Sequence, residues 1–380
     1  MKVLIAVTHL LGTGHLSRAL TLGRAFAAQD HEILVVSGGM PAPQLNSNGL
    51  DILNLPPLRS DGTNFTRLLT ECGSLADAAY LEARRIGMVS AVKSFAPDIL
   101  ITELYPFGRR VLREEFLSLL QAAHQQPRPP LILSSIRDIL APPSKPEKAV
   151  VTDTVLEQYY DGVLVHSDPT ATRLQASWPV SEKLERKLHY TGYVAPVPVG
   201  PHPEKLGKNE IVVSAGGGSV GGPIFHAAIN AATKISDRRW RLLVGGSDAP
   251  KRIKELQQIA GDAPVLIERI RPDFRQMLNH CAASVSMCGY NTMLDLLQAG
   301  TPAVLIPFDD GQEVEQGLRA AALSHMPQFA VLKSSELTGD GLARTIETLL
   351  ASGRSPAPAL QFDGAIRSVE IAVTLREATA

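Results

Sequence analysis

Short β-branched runs alternate with longer stretches of helical periodicity along most of this sequence, and the alternation stops once, at a proline-rich segment, before starting again. Residues 3–8, 32–37, 99–102, 131–135 and 162–166 read as strands, and residues 15–28, 74–94 and 109–124 carry apolar side chains at helical spacing. Strands separated by helices pair in parallel, so this half predicts a parallel sheet covered by helices on both faces. The composition then turns to Ala195-Pro-Val-Pro-Val-Gly-Pro-His-Pro203, which continues neither helix nor central strand and favours an extended connection. Beyond it, strands are expected at 210–215, 241–244, 264–267, 283–287 and 303–306, with a helix from Pro223 and a closing helix over 362–378. The expected fold class is α/β, with two Rossmann-like parallel-sheet domains. The boundaries are 1–195 for the first, 196–209 for a linker, 210–360 for the second and 361–380 for the closing helix.

A chain of 380 residues fits that division, at roughly 150 residues per domain. With 44% hydrophobic and 20% charged residues, general disorder is excluded. Lys and Arg total 37 against 38 for Asp and Glu, a net charge of −1, so no global field draws a polyanion and nucleic acid is not expected as a partner. Cys72, Cys281 and Cys288 lack the paired spacings of a disulfide framework or a zinc site. No apolar run reaches the roughly 18 residues of a membrane span, and a cytoplasmic location is expected. Arg109, Arg110 and Arg113 beside Val111, Leu112 and Phe116 offer either a peripheral membrane contact or a solvated helix face.

Two glycine loops follow strands. The first, Gly12-Thr-Gly14-His15, opens the first helix; backbone N–H groups at a helix start face a ligand at the strand ends. Ser17 takes the third glycine position of a dinucleotide fingerprint, and the second strand ends in Ser-Gly-Gly without a ribose-binding acid, so a nicotinamide site is not expected. His15 is either a helix-start residue bonded to a loop carbonyl or a general base. Glu103 and Asp138, at other strand ends, can orient it or face an acceptor, and His166 closes a further strand. The second loop, Gly216-Gly217-Gly218-Ser219-Val-Gly221-Gly222, lets a phosphate approach main-chain donors and the Ser219 hydroxyl; its bland reading is close helix-to-strand packing.

The segment Ser286-Met-Cys-Gly289-Tyr-Asn291-Thr292-Met-Leu-Asp295, with Gly300-Thr-Pro and then Pro307-Phe-Asp-Asp-Gly-Gln-Glu-Val-Glu315-Gln316, resembles the donor-binding half of GT-B glycosyltransferases. The similarity is to family 28, the group that includes the lipid II-forming MurG enzyme, and to the UDP-glucuronosyltransferases. The resemblance implies two domains facing a central cleft, with a nucleotide-sugar donor as partner. It implies diphosphate contacts at Gly14, Gly217, Gly218, Ser219, Gly289, Asn291 and Thr292, and the ribose on Asp295. Main-chain groups near Ile270 would meet the base, and Glu315 and Gln316 the donor sugar. It also makes His15 the base or a transition-state stabiliser; Glu103 is the catalytic candidate beside it by its place at a strand end, with a structural role as the alternative. The family commonly has Glu at the position of Asp295 and Asn at that of Arg319.

No Asp-x-Asp triplet occurs, so the usual ligands of a metal-bridged diphosphate are missing, and no metal or other cofactor is expected. Backbone dipoles, Ser219 and Arg269 or Arg271 would then neutralise the leaving diphosphate. Retaining relatives carry an acid eight residues before the ribose acid. Met287 stands there, which implies inversion. The expected activity is transfer of a sugar from a UDP- or TDP-sugar to a hydroxyl of a small-molecule, glycan or lipid-linked acceptor, with residues 55–71 among the acceptor loops. Gly12 to Arg18 also resembles the opening of the UDP-sugar hydrolase PseG, where water replaces the acceptor. A UDP-sugar 2-epimerase ranks below that, because the Gly-Thr-Arg-Pro-Glu opening is missing, and a non-catalytic nucleotide-binding protein is the remaining alternative.

Overall fold

The computed structural model describes residues 1–60, 67–309, 313–354 and 356–379. They divide into two compact units, one formed by Met1–Ala195 with Gln361–Ala380 and the other by Pro196–Leu360.

The first unit runs β1 (Lys2–Val7), α1 (Gly14–Ala27), β2 (Glu32–Gly39), β3 (Asp51–Ser60), β4 (Leu68–Leu69), α2 (Ala78–Phe95), β5 (Ile99–Glu103), α3 (Arg113–His124), β6 (Leu131–Arg137), α4 (Pro146–Tyr159), β7 (Gly162–His166), α5 (Glu182–Glu185) and β8 (Leu188–Tyr190). Its sheet is ordered β4-β3-β2-β1-β5-β6-β7-β8 and is parallel except where β4 meets β3. The central strands β1 and β5 are buried along nearly their whole length, which is why they read as continuous apolar runs. Leu4, Leu100 and Ile132 pack on one face with Met88, Phe116 and Leu156; Val3, Ile5 and Ile101 pack on the other with Leu20 and Phe26.

The second unit runs β9 (Ile211–Ser214), α6 (Gly222–Ala232), β10 (Trp240–Val244), α7 (Ala249–Ala260), β11 (Val265–Arg269), α8 (Phe274–Leu278), β12 (Ala283–Ser286), α9 (Tyr290–Ala299), β13 (Ala303–Leu305), α10 (Glu315–Leu323), β14 (Phe329–Val331) and α11 (Gly339–Ala351). All its pairings are parallel, in the order β11-β10-β9-β12-β13-β14. The last helix, α12 (Gly364–Ala378), packs with the first unit, its Val369 and Ala372 fully buried beside the α1 face of the sheet.

In each sheet the strand order reverses once, between β1 and β5 and again between β9 and β12. Connections leave in opposite directions at such a point, and the loops after the two central strands part to leave room for a ligand. The four loops so placed hold Gly12–Gly14, the residues after Glu103, Gly216–Gly221 and Gly289.

Part of the expected acceptor loop is regular structure: residues 55–60 belong to β3 and residues 68–69 to β4, whereas 61–66 lie outside the described residues. Pro56 and Pro57 hid β3, since proline removes ladder donors, and a register shift lies between Ser37 and Gly39 on its partner strand. The helix expected at 109 begins at Arg113, after a short turn. Arg109 donates from Nε to the Thr8 carbonyl at 2.6 Å, and the Arg110 guanidinium lies 5.6 Å from the Trp178 ring. Two of the three arginines offered to a membrane surface therefore turn to the protein. Among the described residues no helix is long and apolar enough to cross a membrane.

Candidate functional site

At the switch point of the first unit, α1 carries His15 in its first turn, and β5 ends in Glu103. His15 Nδ1 lies 2.8 Å from Glu103 Oε1. Arg18, one turn along the same helix, donates from Nη2 to the same oxygen. Ser135, the registered neighbour of Glu103 on β6, donates to Oε2 at 2.6 Å. The Ser135 hydroxyl also lies 2.9 Å from His166 Nε2, and His166 Nδ1 is 2.9 Å from Thr191 Oγ1. Glu103 is 1% exposed, Arg18 5%, and His15 13%, so the imidazole is the member of the group with a path to solvent.

The electrostatics follow from that packing. Burial favours the uncharged imidazole, and although Glu103 works the other way, Arg109 and Arg18 add to burial; His15 is pushed down to about 3. Burial alone would raise the Glu103 carboxyl, but Arg18 and His15 outweigh it and hold it below the usual carboxylate range. Burial, aided by Arg18, pushes His166 to about 3 as well. At neutral pH the group is a carboxylate bonded to a guanidinium and to a neutral imidazole. The carboxylate can only accept, so His15 donates from Nδ1, and Nε2 keeps its lone pair.

In the second unit, Gly216 and Gly221 take φ of +79° and +84°, a region other residues avoid, and thereby turn the chain from β9 into α6. A Cβ on Gly217 would meet nothing, leaving the exposed main chain of Gly217 and Gly218 open to a ligand. The loop rests on the one after β10: Gly246 N–H donates to the Gly217 carbonyl at 3.1 Å. The Ser219 hydroxyl donates to Asp248 Oδ1 at 2.5 Å, and that bond holds the Asp248 carboxyl below its ordinary range.

After β12, Gly289 caps α9 with open space where a Cβ would point, and Asn291 and Thr292 occupy its first turn. Two side chains of α10 fix this turn. Gln316 Oε1 accepts from Cys288 N–H at 3.0 Å and from Phe308 N–H at 3.2 Å, while Arg319 donates to the Cys288 carbonyl at 3.0 Å and lies 5.8 Å from the Tyr290 ring. Arg319, a departure from the family pattern, is thus a buried brace of the glycine turn. Glu315 is the first residue of α10; the loop before it includes residues 310–312, outside the described residues.

Asp295 has a protein partner, Arg275, whose Nε is 2.8 Å from Oδ1. Burial pushes the Asp295 carboxyl up to about 6, against the pull of Arg275. Arg275 also donates to the Val197 carbonyl and to Gln298 Oε1, tying Asp295 to the segment after residue 195. Arg271 is paired with Asp273 at 2.7 Å, so its charge is already engaged, whereas Arg269 is exposed at the end of β11. Ile270 is half exposed and its N–H extends the sheet to the Val244 carbonyl at 3.1 Å. Among the described residues no group of three His, Cys, Asp or Glu side chains is placed to hold a metal ion.

Reading the sequence residue by residue missed Arg18, Ser135, Asp248 and Arg275. Only Arg18 left a local signal: it stands three positions after His15, one turn away on the same helix.

A family model, the glycosyltransferase family 28 C-terminal domain, matches residues 212–362. A Methanosarcina mazei protein described only as an uncharacterized glycosyltransferase is 24% identical over 341 residues, covering 85% of this chain and 83% of that one. A Phenylobacterium zucineum enzyme is 31% identical over 183 residues: UDP-N-acetylglucosamine--N-acetylmuramyl-(pentapeptide) pyrophosphoryl-undecaprenol N-acetylglucosamine transferase. That match covers 47% of this chain and 48% of the relative, so the chain spans about half the length of relatives of this kind. Among solved structures, MurG of Acinetobacter baumannii superposes with a TM-score of 0.64 at 15% identity, over 98% of this chain and 100% of that one. The calicheamicin glycosyltransferase CalG4 gives 0.62 at 16%, over 98% and 94%. These relatives favour neither hydrolysis nor an idle nucleotide-binding protein.

Proposed function

We propose that this chain, a GT-B glycosyltransferase of the family 28 type, moves a sugar from a nucleotide-diphosphate donor, UDP- or TDP-linked, to an acceptor hydroxyl with inversion and without a metal ion. The observation that carries the reading is the content of the two switch points: one holds an imidazole with its Nδ1 on a buried carboxylate, the other a pair of open glycine turns at helix starts.

His15 Nε2 takes the proton of the acceptor hydroxyl. The oxygen attacks the anomeric carbon as the bond to the nucleoside diphosphate breaks on the opposite side. Negative charge then grows on the diphosphate, and the N–H groups at the starts of α6 and α9, around Gly217, Gly218, Gly289, Asn291 and Thr292, meet it with the positive ends of two helix dipoles. Asp295 accepts from a ribose hydroxyl through the oxygen that Arg275 leaves. Gln316, its carbonyl oxygen engaged, offers the sugar its amide donors, next to Glu315. The first unit receives the acceptor, which is a small molecule, a glycan or a lipid-linked sugar.

The test uses purified protein, a panel of UDP- and TDP-sugars, and a set of hydroxyl acceptors. Transfer is expected to persist in excess EDTA and to give product of inverted anomeric configuration by NMR. His15→Ala should lower kcat by about a hundredfold or more with donor affinity unchanged. Asp295→Ala should instead weaken nucleoside diphosphate binding in calorimetry. Turnover that needs added metal, or a His15→Ala enzyme at full rate, overturns the mechanism.

A further inference from the structure

We infer that Arg18 is the positioning residue of the proposed base: it fixes Glu103 as the acceptor of the His15 Nδ1 hydrogen and so dedicates Nε2 to the substrate. The inference rests on the reading of His15 as the base and adds a residue that never meets substrate, since Arg18 is 5% exposed.

The geometry is that of a three-cornered lock. Glu103 Oε1 receives both Arg18 Nη2 and His15 Nδ1, and Oε2 receives Ser135 Oγ. Arg18 Nη2 also lies 3.2 Å from His15 Nδ1. A guanidinium only donates and a carboxylate only accepts, so the 2.8 Å contact of Nδ1 with Oε1 requires the hydrogen on Nδ1, and both groups then point their hydrogens at the shared oxygen. Without Arg18, Glu103 would be a buried carboxylate that has lost the guanidinium bonded to Oε1, and two outcomes would relieve it. It could gain a proton and lose its hold on Nδ1–H, or His15 could become an imidazolium and make the missing ion pair. Either one removes the neutral, Nε2-basic imidazole that proton abstraction requires. The charged groups facing His15 are Glu103 on β5, Arg18 on its own helix and Arg109 in the loop before α3; those facing His166 are Arg18 and Glu103. Arg109 remains in an Arg18 variant, where its Nε donates to the Thr8 carbonyl.

The experiment reads the imidazole directly. Histidine ring NMR on the substrate-free protein, with the His15 signals identified by their loss in His15→Gln, should show a neutral ring protonated at Nδ1 and unresponsive from pH 8 to pH 5. In Arg18→Gln the same ring should titrate within that range or change tautomer, and Arg18→Lys, which restores the charge, should return it toward the wild-type behaviour. In parallel, kcat/KM for transfer should acquire an acid limb in Arg18→Gln that wild type lacks, whereas damage to packing alone would lower the rate equally at every pH. An Nε2–H tautomer in the wild type, an ordinary titration of its His15, or an Arg18→Gln ring indistinguishable from wild type overturns the inference. If Arg18→Gln does not fold, the wild-type tautomer and titration still decide. Because the ring is read without turnover, an inactive protein with the expected ring behaviour would count against the transferase mechanism and not against the role of Arg18.

Discussion

A hydroxyl has one hydrogen to donate, and that of Ser219 goes to Asp248. A diphosphate arriving at Gly217 and Gly218 would draw that hydrogen to itself and meet the Asp248 carboxylate at short range. Asp248→Ala is therefore expected to tighten nucleoside diphosphate binding by about two- to fivefold, the size of one exposed charge contact. Calorimetry that shows weaker binding would move the diphosphate away from this loop. The histidines carry a second consequence. Both His15 and His166 are held near 3 in the folded protein, while in the unfolded chain they titrate near their ordinary 6.5. Between those values the unfolded state binds more protons, so stability is full above pH 7 and falls as the pH drops toward 3, by about 1 kcal/mol per pH unit for each buried histidine. Urea midpoints at pH 7 and pH 5 measure the slope, and His15→Gln should make it shallower. His15 and Glu103 could be picked out in the sequence because each ends a strand or opens a helix beside a loop. Ser135 could not be tied to them, since its place beside Glu103 depends on which strands are neighbours and in what register.

At the scale of elements, the turn from β9 into α6 depends on Gly221. Its φ is +84°, and a Cβ built there would stand 2.1 Å from the Ala215 Cβ. Gly221→Ala is expected to cost about 1–3 kcal/mol and to weaken nucleoside diphosphate binding together with stability, because the same turn presents the glycine loop proposed to take the diphosphate. Urea unfolding and calorimetry on one variant test both, and unchanged affinity in a destabilised protein would separate the turn from the ligand. Strands such as β5 and β7 stood out because they are buried on both faces and carry unbroken apolar runs. The ten residues of β3 did not, since only three of them are buried and two are prolines. The glycine turn at 289 was visible too, but its bracing by Gln316 and Arg319 was not: those contacts join residues about thirty positions apart.

The whole molecule adds one constraint that belongs to neither sheet alone. After Leu360 the chain leaves the second unit and ends in the first, where Tyr193 N–H donates to the Gln361 carbonyl at 2.8 Å and Gln361 N–H to Asp168 Oδ2 at 3.0 Å. Helical spacing in the sequence offers Ile366, Val369, Val373 and Leu375 as a packing face for α12. Val369 is buried there with Gly364, Ser368 and Ala372, and Val373 and Leu375 pack partly buried against the same core, whereas Ile366 is half exposed; a helix packed this closely needs small side chains at the contact. Ser368 can be buried there since its hydroxyl bonds the Gly364 carbonyl at 2.6 Å. Those contacts make the C-terminus part of the core beneath α1, the helix that carries His15 and Arg18. Removing residues 361–380 should therefore lower hydrogen-exchange protection in β1, α1 and β5 while leaving β9, β10 and β12 near their full-length values. On the proposed division of roles the second unit should outlast the first: the shortened protein is expected to keep its affinity for nucleoside diphosphate and to lose transfer as the contacts of His15 loosen. Equal loss of protection in both sheets would mean that the two units unfold as one and that α12 stabilises the whole rather than the unit in which it sits.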